Sequence, residues 1–258
     1  MARYKLTLEY EGTRYSGWQV QKNARTVQGE LIEAARGAFG TSDFELMGSG
    51  RTDAGVHALC QVAHLDVRTQ LDPRVIRMRL NDALPADVNV IDVQVVNPRF
   101  HARHHAVSRT YLYQISQRRT AFGKRYVWWI KDRLDVEAMA EACAVFEGFH
   151  DFRSFTRDDP EEKSTTVELQ ECYVAVAGDL ILIRIRGSHF LWRMVRQMVG
   201  MIAQVGRGAT TVDELRELLR TASSLPASVT APPSGLFLEH VAYDDDDVPQ
   251  ELSPTIRI

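Results

Sequence analysis

The sequence predicts an α+β fold built from two β-α-β-β-α-β units. Three observations predict it. Short segments of alternating apolar and polar residues recur along the 258-residue chain, the pattern of half-buried strands. Capped apolar runs with helical spacing lie between them. The order of these segments in the first part of the chain then returns in the second.

Tyr4, Leu6, Leu8 and Tyr10 alternate, so the chain opens on a strand. Val27, Leu31, Ala34, Ala35, Ala38 and Phe39 share one helical face, with Thr26 as the cap. Phe44 to Met47 and Gln61 to Val67 read as strands. Asp72-Pro73 opens a helix through about Leu84, the aspartate capping and the proline in the first turn. Val88 to Val96 closes the set as a strand. In the second half, Val107 to Ile115 is a strand with Val107, Tyr111, Tyr113 and Ile115 on one face. Asp135 caps a helix carrying Val136, Met139, Ala140, Cys143 and Phe146, ended by Gly148. Val167–Val176 and Leu180–Ile185 form a hairpin across Gly178-Asp179. Ser188 caps a helix from about Phe190 to Val205, and Thr211-Val212-Asp213-Glu214 is the capping box of a shorter one. Leu236 to Tyr243 closes the second set. Each set has the order of a ferredoxin-like unit. The join near Asn97–Ala106 divides the chain into residues 1–100 and 101–258. The second part also carries an excursion around Arg118–Lys131 and an acidic tail.

Hydrophobic residues make up 45% and charged residues 25% of the chain, which fits a soluble globular protein with a sizeable core. No apolar run approaches the roughly 18 residues of a membrane span, and Met1–Lys5 lacks the apolar stretch of a signal peptide. Cys60, Cys143 and Cys172 are odd in number and far apart; they form neither a disulfide framework nor a zinc spacing, and a reducing cytoplasm fits best. The net charge of −3 conceals segregation. From Val93 through Lys131 there is no acid but eight Lys or Arg, among them Arg99, Arg103, Arg109, Arg118 and Arg119. Leu180 through Val212 holds five arginines and no acid, while acids gather at Asp158-Asp159-Pro160-Glu161-Glu162 and Asp244–Asp247. One polyanion-facing surface explains this distribution; chance clustering on solvated faces is the alternative, and the final acidic run reads as a solvated tail.

The densest chemistry is Gly50-Arg51-Thr52-Asp53-Ala54-Gly55-Val56-His57-Ala58. A carboxylate lies between two glycines, which let backbone approach a ligand closely. Arg51 is two residues away, able to keep Asp53 ionised or to grip phosphate or a flat base. The segment suits chemistry that needs one fixed negative charge. Alone, it also fits a polar hairpin with a surface ion pair.

These residues resemble the signature loop of the A-type tRNA pseudouridine synthases. Four further stretches match in order: Tyr10–Gln19, Arg99–Arg103 running into Arg109–Tyr113, Phe190–Arg196, and Pro232–Leu238. The similarity runs from about Tyr4 to Tyr243. It implies that the two sheets associate, that RNA binds in a central cleft between the halves, and that the protein is a homodimer. It also implies isomerisation of uridine to pseudouridine in the anticodon stem-loop region of tRNA. The reaction breaks N1–C1′, turns the base and joins C5 to C1′, with no redox agent, cofactor or metal.

By this match Asp53 is the catalyst. Its carboxylate either stabilises positive charge at C1′ or bonds to the sugar or base. Arg51 pairs with Asp53 or fills the gap left by the extracted base. Tyr111 stacks on uracil, Arg196 completes the network with the carboxylate, and Leu236 walls the pocket. Read without the match, Tyr111 and Leu236 are ordinary core residues, and Arg196 is either a paired charge on a mainly apolar helix or a surface charge. Arg14, Trp18 and Gln19, with Tyr15, Gln21, Lys22 and Arg25, mix aromatics with cations and suit RNA contacts; Trp18 equally suits a core pin. Arg103, Arg109 and Arg119 are phosphate contacts. His101, His104 and His105 have no acid or cysteine to complete a metal set, and the neighbouring arginines repel a cation. The chain departs from the family pattern at Thr120–Arg125, where a proline is expected, and at Ser164–Glu168, where an arginine is expected. The rival reading is a tRNA-binding folding chaperone without catalysis, which has little need of the Asp53 carboxylate.

Overall fold

The computed structural model describes residues 1–158, 164–244 and 248–256. It is a mixed α/β fold with mostly antiparallel strand pairing. The chain gathers into two compact units, one of residues 1–107 with 237–247, the other of residues 108–236 with 248–258. The two acidic runs lie outside the described residues except for Asp158 and Asp244. Among the described residues no helix is long and apolar enough to cross a membrane.

The first unit runs β1 (Ala2–Tyr10), α1 (Val27–Phe39), β2 (Phe44–Gly48), β3 (His57–Val67), α2 (Pro73–Ala83) and β4 (Val88–Val96). β1 is central and antiparallel to both β3 (Leu6↔Ala63) and β4 (Leu6↔Val93). β2 adds to β3 with Phe44 opposite Val67. The alternation in β1 sends Leu6 and Leu8 into the core, where Leu31 and Ala35 of α1 and Ile76 and Leu80 of α2 are also buried. Both helices start where their caps predict. Thr26 Oγ1 accepts from the Gly29 N–H, and Asp72 Oδ1 from the Arg74 N–H. α1 ends at Gly40, whose φ of 65° is the left-handed stop. β3 begins at His57 rather than Gln61, which shortens the loop before it.

The second unit holds β5 (Ser108–Ser116), β6 (Trp128–Trp129), α3 (Val136–Val145), β7 (Gly148–Asp151), β8 (Thr166–Ala177), β9 (Leu180–Gly187), α4 (Met194–Gly206), α5 (Val212–Leu218) and α6 (Leu225–Ser228). β9 lies between β5 and β8, antiparallel to both, and β7 extends the sheet beyond β8. β6 and β7 are additions to the expected order. Ile181, Ile183 and Ile185 alternate out of β9 and are fully buried. From the next position in the alternation, Arg184 reaches the segment after residue 247. Its guanidinium donates to Tyr173 Oη and to the carbonyls of Pro249, Gln250 and Glu251, the last at 2.6 Å. Gln114 Oε1 accepts from the Thr255 N–H. A guanidinium only 1% exposed requires such a shell of acceptors.

One expectation is corrected. The helix expected from Phe190 begins at Met194. Arg193 occupies its N-cap at φ 63°, a left-handed geometry that cannot continue an α-helix backward. Ser188 does not cap it; its N–H donates to the Glu168 carbonyl. The closing strand, β10 (Leu236–Ala242), forms where the alternation predicts it. From Phe237 onward it counts with the first unit, pairing parallel to β3 as Phe237↔His57 and Leu238↔Ala58.

A histidine framework ties the end of the first unit. His64 Nδ1 accepts from the Ala102 N–H, and the Ala102 carbonyl accepts from Tyr243 Oη. His101 Nδ1 accepts from the Arg103 and His104 N–H groups. These rings accept as neutral imidazoles. Burial, with Arg3 and His101 nearby, lowers the His64 pKa from 6.5 to about 4. The unfolded chain therefore binds this proton first. Stability from His64 is complete above about pH 6.5 and is lost as pH falls toward about 4. Urea unfolding between these pH values should show stability falling with pH, and His64→Gln, which accepts without titrating, should flatten that fall. An unaltered fall in the variant assigns it to other groups.

Candidate active site

The loop between β2 and β3 carries Arg51, Thr52 and Asp53, and backbone hydrogen bonds tie it to the Tyr15–Trp18 segment. The Trp18 N–H donates to the Thr52 carbonyl at 3.1 Å, and the Gly55 N–H to the Tyr15 carbonyl at 3.2 Å. The Val56 N–H closes the turn on the Asp53 carbonyl at 3.1 Å. Gly55 takes φ 79°. Two glycines of the Tyr10–Gln19 stretch permit the contact. A Cβ on Gly12 would lie 1.9 Å from the Val56 oxygen, and one on Gly17, at φ 92°, 2.6 Å from the Thr52 oxygen. The Gly12 N–H also donates to His57 Nδ1 at 3.0 Å, and His57 stacks on Phe237 at 4.7 Å.

Thr52 is buried and shares a 2.8 Å hydrogen bond with Tyr10 Oη. Gln61 Nε2 donates to Tyr10 Oη and to the Gly50 carbonyl, while its Oε1 accepts from Ser49 Oγ. Burial pushes the Tyr10 phenol up to about 12, against its hydrogen bonds with Thr52 and Gln61. It is a neutral strut at physiological pH. With Thr52 pinned inward, Asp53 is half-buried and Arg51 is exposed.

The expected pairing within this loop is not formed. Among the described residues no ion pair joins Arg51 to Asp53, because the inward turn at Thr52 leaves Arg51 in solvent. Trp18 is also corrected. At 1% exposure, with its indole where a Cβ on Gly48 would intrude at 2.6 Å, it pins the loop and offers no face to RNA. Tyr15 is likewise buried, its hydroxyl donating to Asp87 Oδ1 at 2.5 Å and its ring 4.6 Å from the Arg25 guanidinium. Gln19 is half-buried and donates to Gln28 Oε1. Arg14 remains exposed.

In the second unit, Tyr111 lies on β5 opposite Ile185, half-buried, its ring edge-on to Phe190 at 5.1 Å. Arg196, on α4, is clipped to Ala231, the residue before the Pro232–Leu238 stretch. Its Nε donates to the Ala231 carbonyl at 2.8 Å, and its own carbonyl accepts from the Ala231 N–H at 3.0 Å. Tyr113 Oη donates to the Pro232 carbonyl at 2.8 Å. Gly235 lets this turn rest on Tyr113, whose ring lies 2.7 Å from where a Cβ would be. Burial drives the Tyr113 phenol well up, and the Arg196 charge opposes that rise. Leu236 is 4% exposed at the start of β10. Arg109 is half-buried and donates to the Ser188 carbonyl at 2.9 Å. Arg103 and Arg119 are exposed.

Tyr10, His57, Gln61 and Tyr113 carry no functional role in the sequence reading. The available signal was polarity at inward-facing strand positions, which must find hydrogen bonds. Among the described residues no group of three His, Cys, Asp or Glu side chains gathers to hold a metal ion. Gly17→Ala should lose at least about 1 kcal/mol, because it combines a positive φ with a backbone clash. It should also lower turnover through the displaced loop. Wild-type melting and turnover in this variant would mean that the glycine contact does not hold the loop.

Comparison with known proteins bears on this geometry. The family described as tRNA pseudouridine synthase matches residues 7–105 and 142–244. A tRNA pseudouridine synthase A of Rhodopseudomonas palustris is 42% identical over 95% of this chain and 100% of its own length. One of Beijerinckia indica is 40% identical over 98% of each chain. A tRNA pseudouridine synthase A 2 of Clostridium perfringens is 36% identical over 94% of this chain and 100% of its own. A solved Cbf5–Nop10–Gar1 complex aligns over 77% of this chain and 54% of that chain, at 12% identity and a TM-score of 0.32. Segments 7–105 and 142–244 include Asp53 with the backbone seam that holds it and Arg196 with its Ala231 clip. The chain belongs to the tRNA pseudouridine synthase family and is an isomerase.

Proposed function

We propose that this enzyme isomerises uridines in the anticodon stem-loop of tRNA, with Asp53 as catalyst. One observation carries the assignment: a half-buried carboxylate on a loop fixed through its backbone by the Tyr15 and Trp18 segment. Such fixing aims a charge before the substrate arrives. The reaction needs little else. As N1–C1′ breaks, positive charge grows at C1′ and negative charge on the uracil. The Asp53 carboxylate answers the former directly or by a covalent bond to sugar or base. After rotation C5 bonds to C1′, the C5 proton leaves, and N1 gains a proton, so atoms and electrons balance without a cofactor.

We assign Tyr111 to stack on the uracil and Arg196 to the carboxylate network, with Leu236 as an apolar wall. The clip between Arg196 and Ala231 gives that guanidinium a fixed start. Arg51, exposed in solvent, is better suited to the gap left by an extracted base than to pairing with Asp53. Arg14, Arg103, Arg109 and Arg119 contact phosphate. The anticodon stem-loop, the homodimer, the cytoplasmic location and the ferredoxin-like character of both units rest on the motif resemblance. The strand pairing of β4, β1, β3 and β2 supports that character for the first unit. Mapping pseudouridine in tRNA after incubation tests the site of action; modification confined to another arm overturns it.

Asp53→Asn keeps the size of the side chain and removes its charge. Single-turnover rate at saturating enzyme should fall by at least about 10³-fold while tRNA binding persists. A folded variant within tenfold of wild type would falsify the catalytic assignment and favour the chaperone reading. Arg103→Ala and Arg119→Ala should each weaken tRNA binding and flatten the dependence of log affinity on log salt. Unchanged slopes in both would place the RNA on another surface.

A further inference from the structure

The excursion between β5 and β6 holds a feature that the catalytic reading does not use. Phe122 is 98% exposed, the most exposed of the large apolar side chains among the described residues. Isolated apolar residues on a surface are ordinary. This one has a setting that specifies a partner. Arg118, Arg119, Lys124 and Arg125 flank it and are all exposed, within the long segment that lacks any acid.

The loop that presents it is built. The Ser116 hydroxyl donates to the Arg118 carbonyl at 2.6 Å, and Arg118 Nε binds Asp179 Oδ2 at 2.6 Å. The Gly123 N–H donates to Thr120 Oγ1 at 3.1 Å, and the Tyr126 N–H to the Gly123 carbonyl at 2.9 Å. The Arg119 guanidinium lies 5.7 Å from the Trp129 ring. Both sides of the tip are thus tied, and Phe122 stands between them. A ring held out this way loses little conformational freedom on meeting a ligand.

We propose that Phe122 is a stacking residue for an unpaired base of the tRNA substrate, with the flanking cations holding the adjoining phosphates. This rests on the reading of the chain as an enzyme acting on a tRNA loop. The chemistry separates the two contributions. Cations act on phosphate and release counterions, so they set the salt slope. A phenyl face acts on a base and releases none. Asp179 engages Arg118, and the remaining excess of cation at Arg119, Lys124 and Arg125 favours RNA over a second apolar protein surface, whose rim carries both signs of charge.

The test uses the full chain with intact tRNA. Phe122→Ala should weaken binding by about fivefold or more, the range expected for losing one stacked base, with the salt slope unchanged. Phe122→Tyr, which keeps the ring, should restore most of the affinity. A photoreactive benzophenone analogue of phenylalanine at position 122 should cross-link to a nucleotide of tRNA. Wild-type affinity in Phe122→Ala overturns the proposal, as does a cross-link that joins two protein chains. A flattened salt slope reassigns the loss to displaced cations and also overturns it. The same cross-link in an Asp53→Asn background separates this proposal from the catalytic one, since it requires binding and not turnover.

Discussion

The backbone seam between Gly12–Trp18 and Thr52–Val56 is the constraint on which the first unit is organised. Its hydrogen bonds join loop to loop, outside any strand ladder. Each contributes only about 1 kcal/mol net, so the seam is not a large source of stability. Its effect is positional. Bonds at the Thr52 carbonyl and the Gly55 N–H fix the backbone before and after Asp53, and with it the direction in which its side chain leaves the loop. Everything that brings the two loops together follows from this: glycine at positions 12 and 17, a tryptophan buried behind the loop, and an early start for β3 at His57.

The second unit solves a different problem. Arg196 belongs to a helix that is otherwise almost wholly apolar on its buried side, with Met194, Val195, Met198, Val199 and Ile202 in the core. A guanidinium in that setting requires acceptors, and the Ala231 carbonyl supplies one. Tyr113 anchors the adjacent Pro232 carbonyl from the sheet. Helix and strand therefore grip the same short turn, and the turn in exchange fixes the start of the Arg196 side chain. Burial keeps the Tyr113 phenol protonated, so its role in this arrangement is to donate.

Elements with local causes were legible in the sequence. Thr26, Asp72, Asp135 and Thr211 cap helices as their spacing predicts, because a side-chain oxygen near unpaired N–H groups is a short-range event. The motif residues were legible through resemblance. What escaped was non-local. Arg193 reads as an unremarkable helical residue, yet its left-handed backbone delays α4 by four residues relative to Phe190. Trp18 among cations reads equally as a nucleic-acid contact and as a core pin, and the absence of a side chain at Gly48, which gives its ring a place to bury, decides for the pin. The pairing of Arg51 with Asp53 failed because proximity in sequence says nothing of which way Thr52 faces. The pairing of β10 with β3 was invisible for the same reason, since apolar alternation gives a strand its faces and not its neighbours.

β10 has a consequence for the life of the chain on the ribosome. The first unit is encoded mostly before residue 108, but its sheet lacks the Phe237↔His57 and Leu238↔Ala58 pairing until residues beyond 236 have emerged. The ring that stacks on His57, and so backs the bond from Gly12, is among the last synthesised. Domains generally fold as units during synthesis; here the early unit waits for a late strand, with the loop-closure cost of so distant a contact. A nascent or prematurely terminated chain therefore carries the Asp53 loop without its complete support. Full assembly of that support is coupled to finishing the protein.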